Sequence, residues 1–120
     1  IGLEDIADDK VAGIPILARK QLMVATAMVN EPDILLLDEP VGGLTPPEIE
    51  EFIELMLRLK GQGLTLIFIE HVMHFLMAVA GRAMIMHQGK IIYDGAPQGL
   101  ISDKTVTEVY LGSAGIAVPA

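Results

Sequence analysis

The chain of 120 residues contains no cysteine. Disulfide frameworks, thiolate metal sites and cysteine nucleophiles are excluded, and the absence fits a reducing cytosol. Bases are scarce: 8 Lys and Arg stand against 16 Asp and Glu, a net charge of −8. That balance argues against the electrostatic footprint of a nucleic-acid or anionic-lipid binder. Long apolar runs are also missing. The longest, residues 34–37 and 64–69, fall far short of the ~18 that a membrane span needs. No basic stretch followed by an apolar one opens the chain, so no secretory signal is expected. Apolar residues themselves are plentiful, at 52%, which is enough for a core and excludes disorder. The length suits about one domain. The first residue is Ile1, and residues 2–12 do not read as the start of a domain, so the chain is expected to be a piece of a longer protein.

Residues 1–13 are acidic and uneven, whereas Leu17, Leu22, Val24, Ala25, Met28 and Val29 recur at helical spacing until Asn30-Glu31-Pro32 stops them. Ile34-Leu35-Leu36-Leu37 is a continuous apolar run that suits a strand buried on both faces of a parallel sheet. Thr45-Pro46-Pro47-Glu48 has the makings of a capping box. Ile49, Phe52, Ile53, Met56 and Leu59 then mark one face of a helix over 46–60, with early acids, late bases, and Gly61 expected to end it in a left-handed conformation. Residues 64–69 read as a second buried strand and 72–80 as a shorter helix. A hairpin is expected around Gln88-Gly89, with short helices after Pro97 and near residues 105–110. The order is α/β, with 34–69 a crossover unit between parallel strands. Residues 112–120 read as a loose tail.

Asp38 and Glu39 end the first strand, where ligands of open parallel sheets lie. One carboxylate there can hold a divalent cation while the other polarises an attacking water, as metal-assisted phosphoryl transfer requires. The bare pair would equally be a solvated acidic turn. The second strand ends in Glu70 and His71, and a neutral imidazole there can bond a phosphate oxygen or the attacking water. An ordinary half-buried histidine is the plainer alternative. His71 and His74, three apart, also admit a zinc reading, although the order His-Glu-x-x-His is absent.

Residues 32–45, Pro-Asp-Ile-Leu-Leu-Leu-Asp-Glu-Pro-Val-Gly-Gly-Leu-Thr, resemble the Walker B strand and D-loop of an ABC transporter ATPase, and Ile69-Glu70-His71 resembles its switch histidine. Arg82-Ala83-Met84-Ile85-Met86 with Gln88-Gly89-Lys90-Ile91 is similar to the family's late hairpin, and Asp94-Gly95-Ala96-Pro97 to the turn after it. The ending Thr107-Glu108-Val109-Tyr110-Leu111-Gly112 looks like that of the group serving branched-chain amino acid importers. The resemblance implies a partial P-loop NTPase (RecA-like) three-layer fold, its sheet mostly parallel, with a C-terminal hairpin and short helices. Residues 1–112 would be the C-terminal portion of a nucleotide-binding domain and 113–120 a flexible tail.

By the same resemblance the parent would be an ATP-hydrolysing importer subunit, for branched-chain amino acids or related small amides. It would lie against the inner face of the cell membrane, working with permease subunits and a second nucleotide-binding subunit, and no nucleic acid is expected as partner. Asp38 would orient Mg²⁺, Glu39 would be the base and His71 would sense the γ-phosphate. Val41, Gly42, Gly43, Leu44 and Thr45 would pass between subunits. ATP and Mg²⁺ would both need an N-terminal half, because the loop G-x-x-x-x-G-K-[ST] is missing: the only Gly-Lys, Gly89-Lys90, is followed by Ile91. The family's signature segment aligns with Ile14, Pro15, Ile16, Leu17 and Ala18, which keep none of its serine and glycine pattern. Arg19 and Lys20 just beyond could grip phosphate by charge instead, or be two solvated bases. The acid that usually ends the D-loop is Thr45, and the one that commonly follows the switch histidine is Val72. Two other readings stay open: a non-catalytic truncated interaction module, and an ABC-type ATPase acting on DNA.

Overall fold

Pro15 closes the acidic lead, which forms two 3-10 turns at Glu4–Ile6 and Val11–Gly13, and its carbonyl accepts the first helical hydrogen bond, from Arg19 N–H at 3.1 Å. The computed structural model describes residues 1–111. They fall into two units, residues 1–79 and the residues from 80 onward.

In the first unit, helix α1 (Ile16–Met28) turns Leu17, Ala18 and Val24 inward. Strand β1 (Ile34–Asp38) pairs in parallel with β2 (Thr65–Ile69), from Ile34 opposite Thr65 to Asp38 opposite Ile69. Between them runs α2 (Pro46–Gly61), which buries Phe52, Ile53, Leu55, Met56 and Leu59. Its start is fastened as expected: the Glu48 carboxylate accepts both the Thr45 N–H and the Thr45 hydroxyl at 2.7 Å. Helix α3 (Met73–Val79) adds Phe75 and Val79 to the same core, Phe75 lying edge-on to Phe68 at 5.1 Å between ring centroids.

Two expectations are corrected. Gly61 does not end α2 in a left-handed conformation. It is the last helical residue, and Gly63 takes the positive φ of 97° instead. Gly63 N–H bonds Lys60 carbonyl at 3.0 Å and Leu64 N–H reaches back to Leu59 carbonyl at 3.3 Å. This pair of bonds, with Leu59 and Leu64 both in the core, is a Schellman ending shifted two residues along. Nor are the strands buried on both faces. Leu35 is buried, and Leu37, Leu66 and Phe68 pack against the core, but Ile34, Leu36, Ile67 and Ile69 are 52–71% exposed. A strand alternates its side chains with period two, so helices lying on one side of the pair cover only every second residue.

In the second unit, β3 (Ala83–His87) and β4 (Lys90–Gly95) form the expected antiparallel hairpin. His87 pairs with Lys90, and the two turn residues Gln88 and Gly89 both have positive φ, 49° and 75°. That is the turn whose twist suits a two-residue hairpin loop, and Gly89 adopts it without strain. The ribbon's open end is clasped by Arg82, which donates two hydrogen bonds of 2.7 Å to Asp94. A 3-10 turn (Pro97–Leu100) follows, then the short helix α4 (Lys104–Val106), capped by Asp103, and a π-helical turn (Thr107–Leu111). The expected tail over 112–120 lies outside the described residues.

Candidate functional site

Because β1 and β2 are parallel and in register, their carboxyl ends emerge side by side, bringing Asp38 and Glu39 next to Glu70 and His71. Glu39 leaves the strand with φ +45°, a conformation sparsely used by side chains other than glycine. Its backbone is held on several sides. The Glu39 N–H donates to Ile69 carbonyl at 2.9 Å, and its carbonyl accepts Gly42 N–H at 3.1 Å, closing a turn that buries Pro40 and Val41. Lys20, on α1, donates to the same carbonyl at 3.3 Å. The arrangement turns the Glu39 side chain into solvent, where Oε1 stands 3.8 Å from His71 Nδ1, each side chain a little over 60% exposed. That gap exceeds a direct hydrogen bond. Both groups face solvent, from which one water or ligand oxygen could hydrogen-bond to the two of them at once.

Asp38 is exposed at the strand end and, among the described residues, its side chain has no hydrogen bond or ion pair. Its carboxylate is free for a cation. His74 does not join His71: its Nε2 meets Glu50 Oε1 on α2 at 2.5 Å. Among the described residues no three His, Cys, Asp or Glu converge as a metal-binding group, so zinc finds no ligand set there.

The other candidate residues are distributed differently. Arg19 bends back onto its own lead-in, donating to Ile14 carbonyl at 3.1 Å and Ala12 carbonyl at 2.8 Å. Ile14, Leu17 and Ala18 are buried, while Pro15 and Ile16 are exposed at the helix start. Val41 is buried, Gly42 and Leu44 are half-buried, and Gly43 and Thr45 are exposed. Lys20 thus reaches the end of β1, whereas Arg19 is occupied with backbone.

The sequence places Glu70 at the end of the second strand but suggests no role for it. Its side chain is fully buried, and its carboxylate accepts Val41 N–H at 3.0 Å, His71 N–H at 3.0 Å and Val72 N–H at 3.1 Å. The signal was there in parity: Leu66, Phe68 and Glu70 alternate onto the covered side of β2.

No protein-family model matches the chain. It is similar to the high-affinity branched-chain amino acid transport ATP-binding protein LivG of Escherichia coli, 34% identical over 115 residues, which are 95% of this chain and 45% of that protein. It is also similar to the lipopolysaccharide export system ATP-binding protein LptB of Acidithiobacillus ferridurans, 33% identical over 94 residues, 78% of this chain and 39% of that one. Among solved structures, the ADP conformation of MJ1267, an ATP-binding cassette of an ABC transporter, superposes with a TM-score of 0.84 at 26% identity, over 92% of this chain and 45% of that one. The chain spans less than half the length of each of these proteins. By sequence along nearly all of its length, and by its part of the P-loop NTPase fold, the chain belongs to the ABC transporter ATP-binding proteins.

Proposed function

We propose that the chain is the C-terminal portion, residues 1–112, of an ATP-hydrolysing subunit that powers an ABC importer, for branched-chain amino acids or related small amides. The observation that supports the hydrolytic reading is the approach of the exposed Glu39 and His71 side chains, 3.8 Å apart at the carboxyl ends of two parallel strands. There Glu39 takes a proton from a water that approaches from solvent, and His71 hydrogen-bonds to the group that water attacks. The Asp38 carboxylate, without a partner among the described residues, would help to hold Mg²⁺. Mg²⁺ would neutralise charge on the transferring phosphate. The triphosphate itself needs a phosphate loop that these residues lack, so nucleotide binding belongs to the whole subunit.

The loop Val41, Gly42, Gly43, Leu44 and Thr45 would meet a second nucleotide-binding subunit, as would the segment from Ile14 to Lys20. Permease subunits would hold the pair at the cytoplasmic face of a membrane. The similarity to LivG supports the amino-acid class. LptB, an export protein by name, supports a second reading in which the subunit drives an exporter. The experiment is reconstitution of the full-length subunit with its permease subunits. ATP-dependent uptake of a labelled branched-chain amino acid is expected, and outward transport alone would decide for the exporter. In that subunit Glu39→Gln should keep ATP binding and lose turnover by about 10²–10⁴-fold, the usual worth of a positioned acid–base group.

A further inference from the structure

We propose that Glu70 is a positioning residue for hydrolysis at this end of the sheet, setting the separation of Glu39 and His71; the proposal rests on the ATPase reading above. Glu70 sits between two residues of the site and yet shares neither their exposure nor their access to ligand. Its side chain is wholly buried, whereas Glu39 and His71 are more than 60% exposed. A buried carboxylate must be compensated, normally by a cation. Among the described residues no Lys or Arg pairs with it; the His71 Nδ1 stands 3.9 Å from Oε2, beyond a hydrogen bond, and the three close hydrogen bonds all come from backbone amides.

Where those amides lie carries the inference. Oε1 accepts from Val41, two residues beyond Glu39, and Oε2 accepts from His71 and Val72. One side chain therefore ties the turn that follows β1 to the segment that follows β2, 29 residues away in the chain. On the near side the same two segments are joined by the Glu39 N–H to Ile69 carbonyl bond at 2.9 Å. Glu39 is thus fixed between two links, and its left-handed conformation, which is otherwise costly, has surroundings that over-determine it. Without the Glu70 link the Val41 turn could relax, and the Glu39 carboxylate would drift from His71 with it. A reacting water tolerates little of that, since an ångström of misplacement costs on the order of 10²-fold in rate.

Glu70→Gln in the full-length subunit is the test. The amide keeps the shape but replaces one acceptor oxygen with a donor, so either Val41 or the His71 and Val72 pair loses its acceptor. Turnover and KM for ATP are measured beside wild type and Glu39→Gln, with nucleotide-binding sites titrated so that only folded protein is counted. The expected result is a kcat lowered at least about tenfold with KM within about twofold, because Glu70 reaches the reaction only through other residues. A kcat equal to wild type overturns the proposal, as does a loss that appears in KM alone. Should the variant not fold, amide hydrogen exchange on the wild-type subunit reads the link directly: Val41, His71 and Val72 are expected to be protected together, and a freely exchanging Val41 overturns the proposal. A wild-type subunit without ATPase activity, or a Glu39→Gln variant as active as wild type, overturns the ATPase reading and the proposal with it.

Discussion

A glutamate held in left-handed backbone just ahead of a proline is costly, on the order of 1–3 kcal/mol, and at Glu39 (φ +45°) that conformation turns the carboxylate toward His71 rather than along the strand. In the full-length subunit His71→Ala should lower ATP turnover while leaving ATP binding intact. Steady-state kinetics check this, and an unaltered rate would return His71 to an ordinary exposed histidine. Two other carboxylates, both solvent-exposed, make a small contribution to stability that acid removes. The Thr45 N–H, and after it the Thr45 hydroxyl, hold the Glu48 carboxyl below its ordinary value, and the Arg82 hydrogen bonds do the same for Asp94. A carboxyl lowered on folding stabilises the fold above its unfolded pKa, and that stability is lost as pH falls through the folded value. The loss begins below about pH 4–5, where unfolded carboxylates titrate. Arg82, raised by the same pair, loses its contribution only in strong alkali. Thermal unfolding from pH 7 to 3 should therefore fall less steeply in Glu48→Gln and Asp94→Asn than in wild type.

Among the elements, α2 was the most legible. Its capping residues, apolar spacing and charge order agree locally, and the helix forms over Pro46–Gly61. Its end was misjudged because Gly61 and Gly63 are equally able to adopt a left-handed conformation. The choice falls to hydrogen-bond register, since only with Gly63 as the turning residue can Leu64 bond back to Leu59 with both side chains in the core. The two glycines should respond in opposite directions. A Cβ at either position meets nothing within 4 Å, so backbone preference alone decides. Gly63→Ala should destabilise by about 1–2 kcal/mol, and Gly61→Ala should stabilise by up to about 1 kcal/mol. Urea unfolding of the pair measures both.

For the whole molecule the exposed side of the parallel pair matters most. Ile34, Leu36, Ile67 and Ile69 form an exposed apolar face on a pair of strands that joins no third strand among the described residues. Such surfaces associate. The 120-residue chain by itself should show concentration-dependent association in sedimentation, and Leu36→Lys with Ile67→Glu should weaken it. The same chain should bind Mg-ATP very weakly by calorimetry, since the residues that would cradle a triphosphate are not among these 120. A low-micromolar dissociation constant would contradict that expectation.

The sequence alone made legible the element order, two short apolar strands joined by a helical crossover, the hairpin at Gln88-Gly89 and the polar strand ends that carry Asp38, Glu39 and His71. These follow from period, capping and turn chemistry, which act over a few residues. Tertiary structure decided which face of each strand is covered, which glycine ends α2, and that Arg19 turns to backbone while Lys20 reaches Glu39. It also decided the part played by Glu70, whose strand parity was legible although its partner Val41, 29 residues away, was not. Local preferences cannot specify such partners, because a buried carboxylate is satisfied by whichever amides the packed chain brings to it.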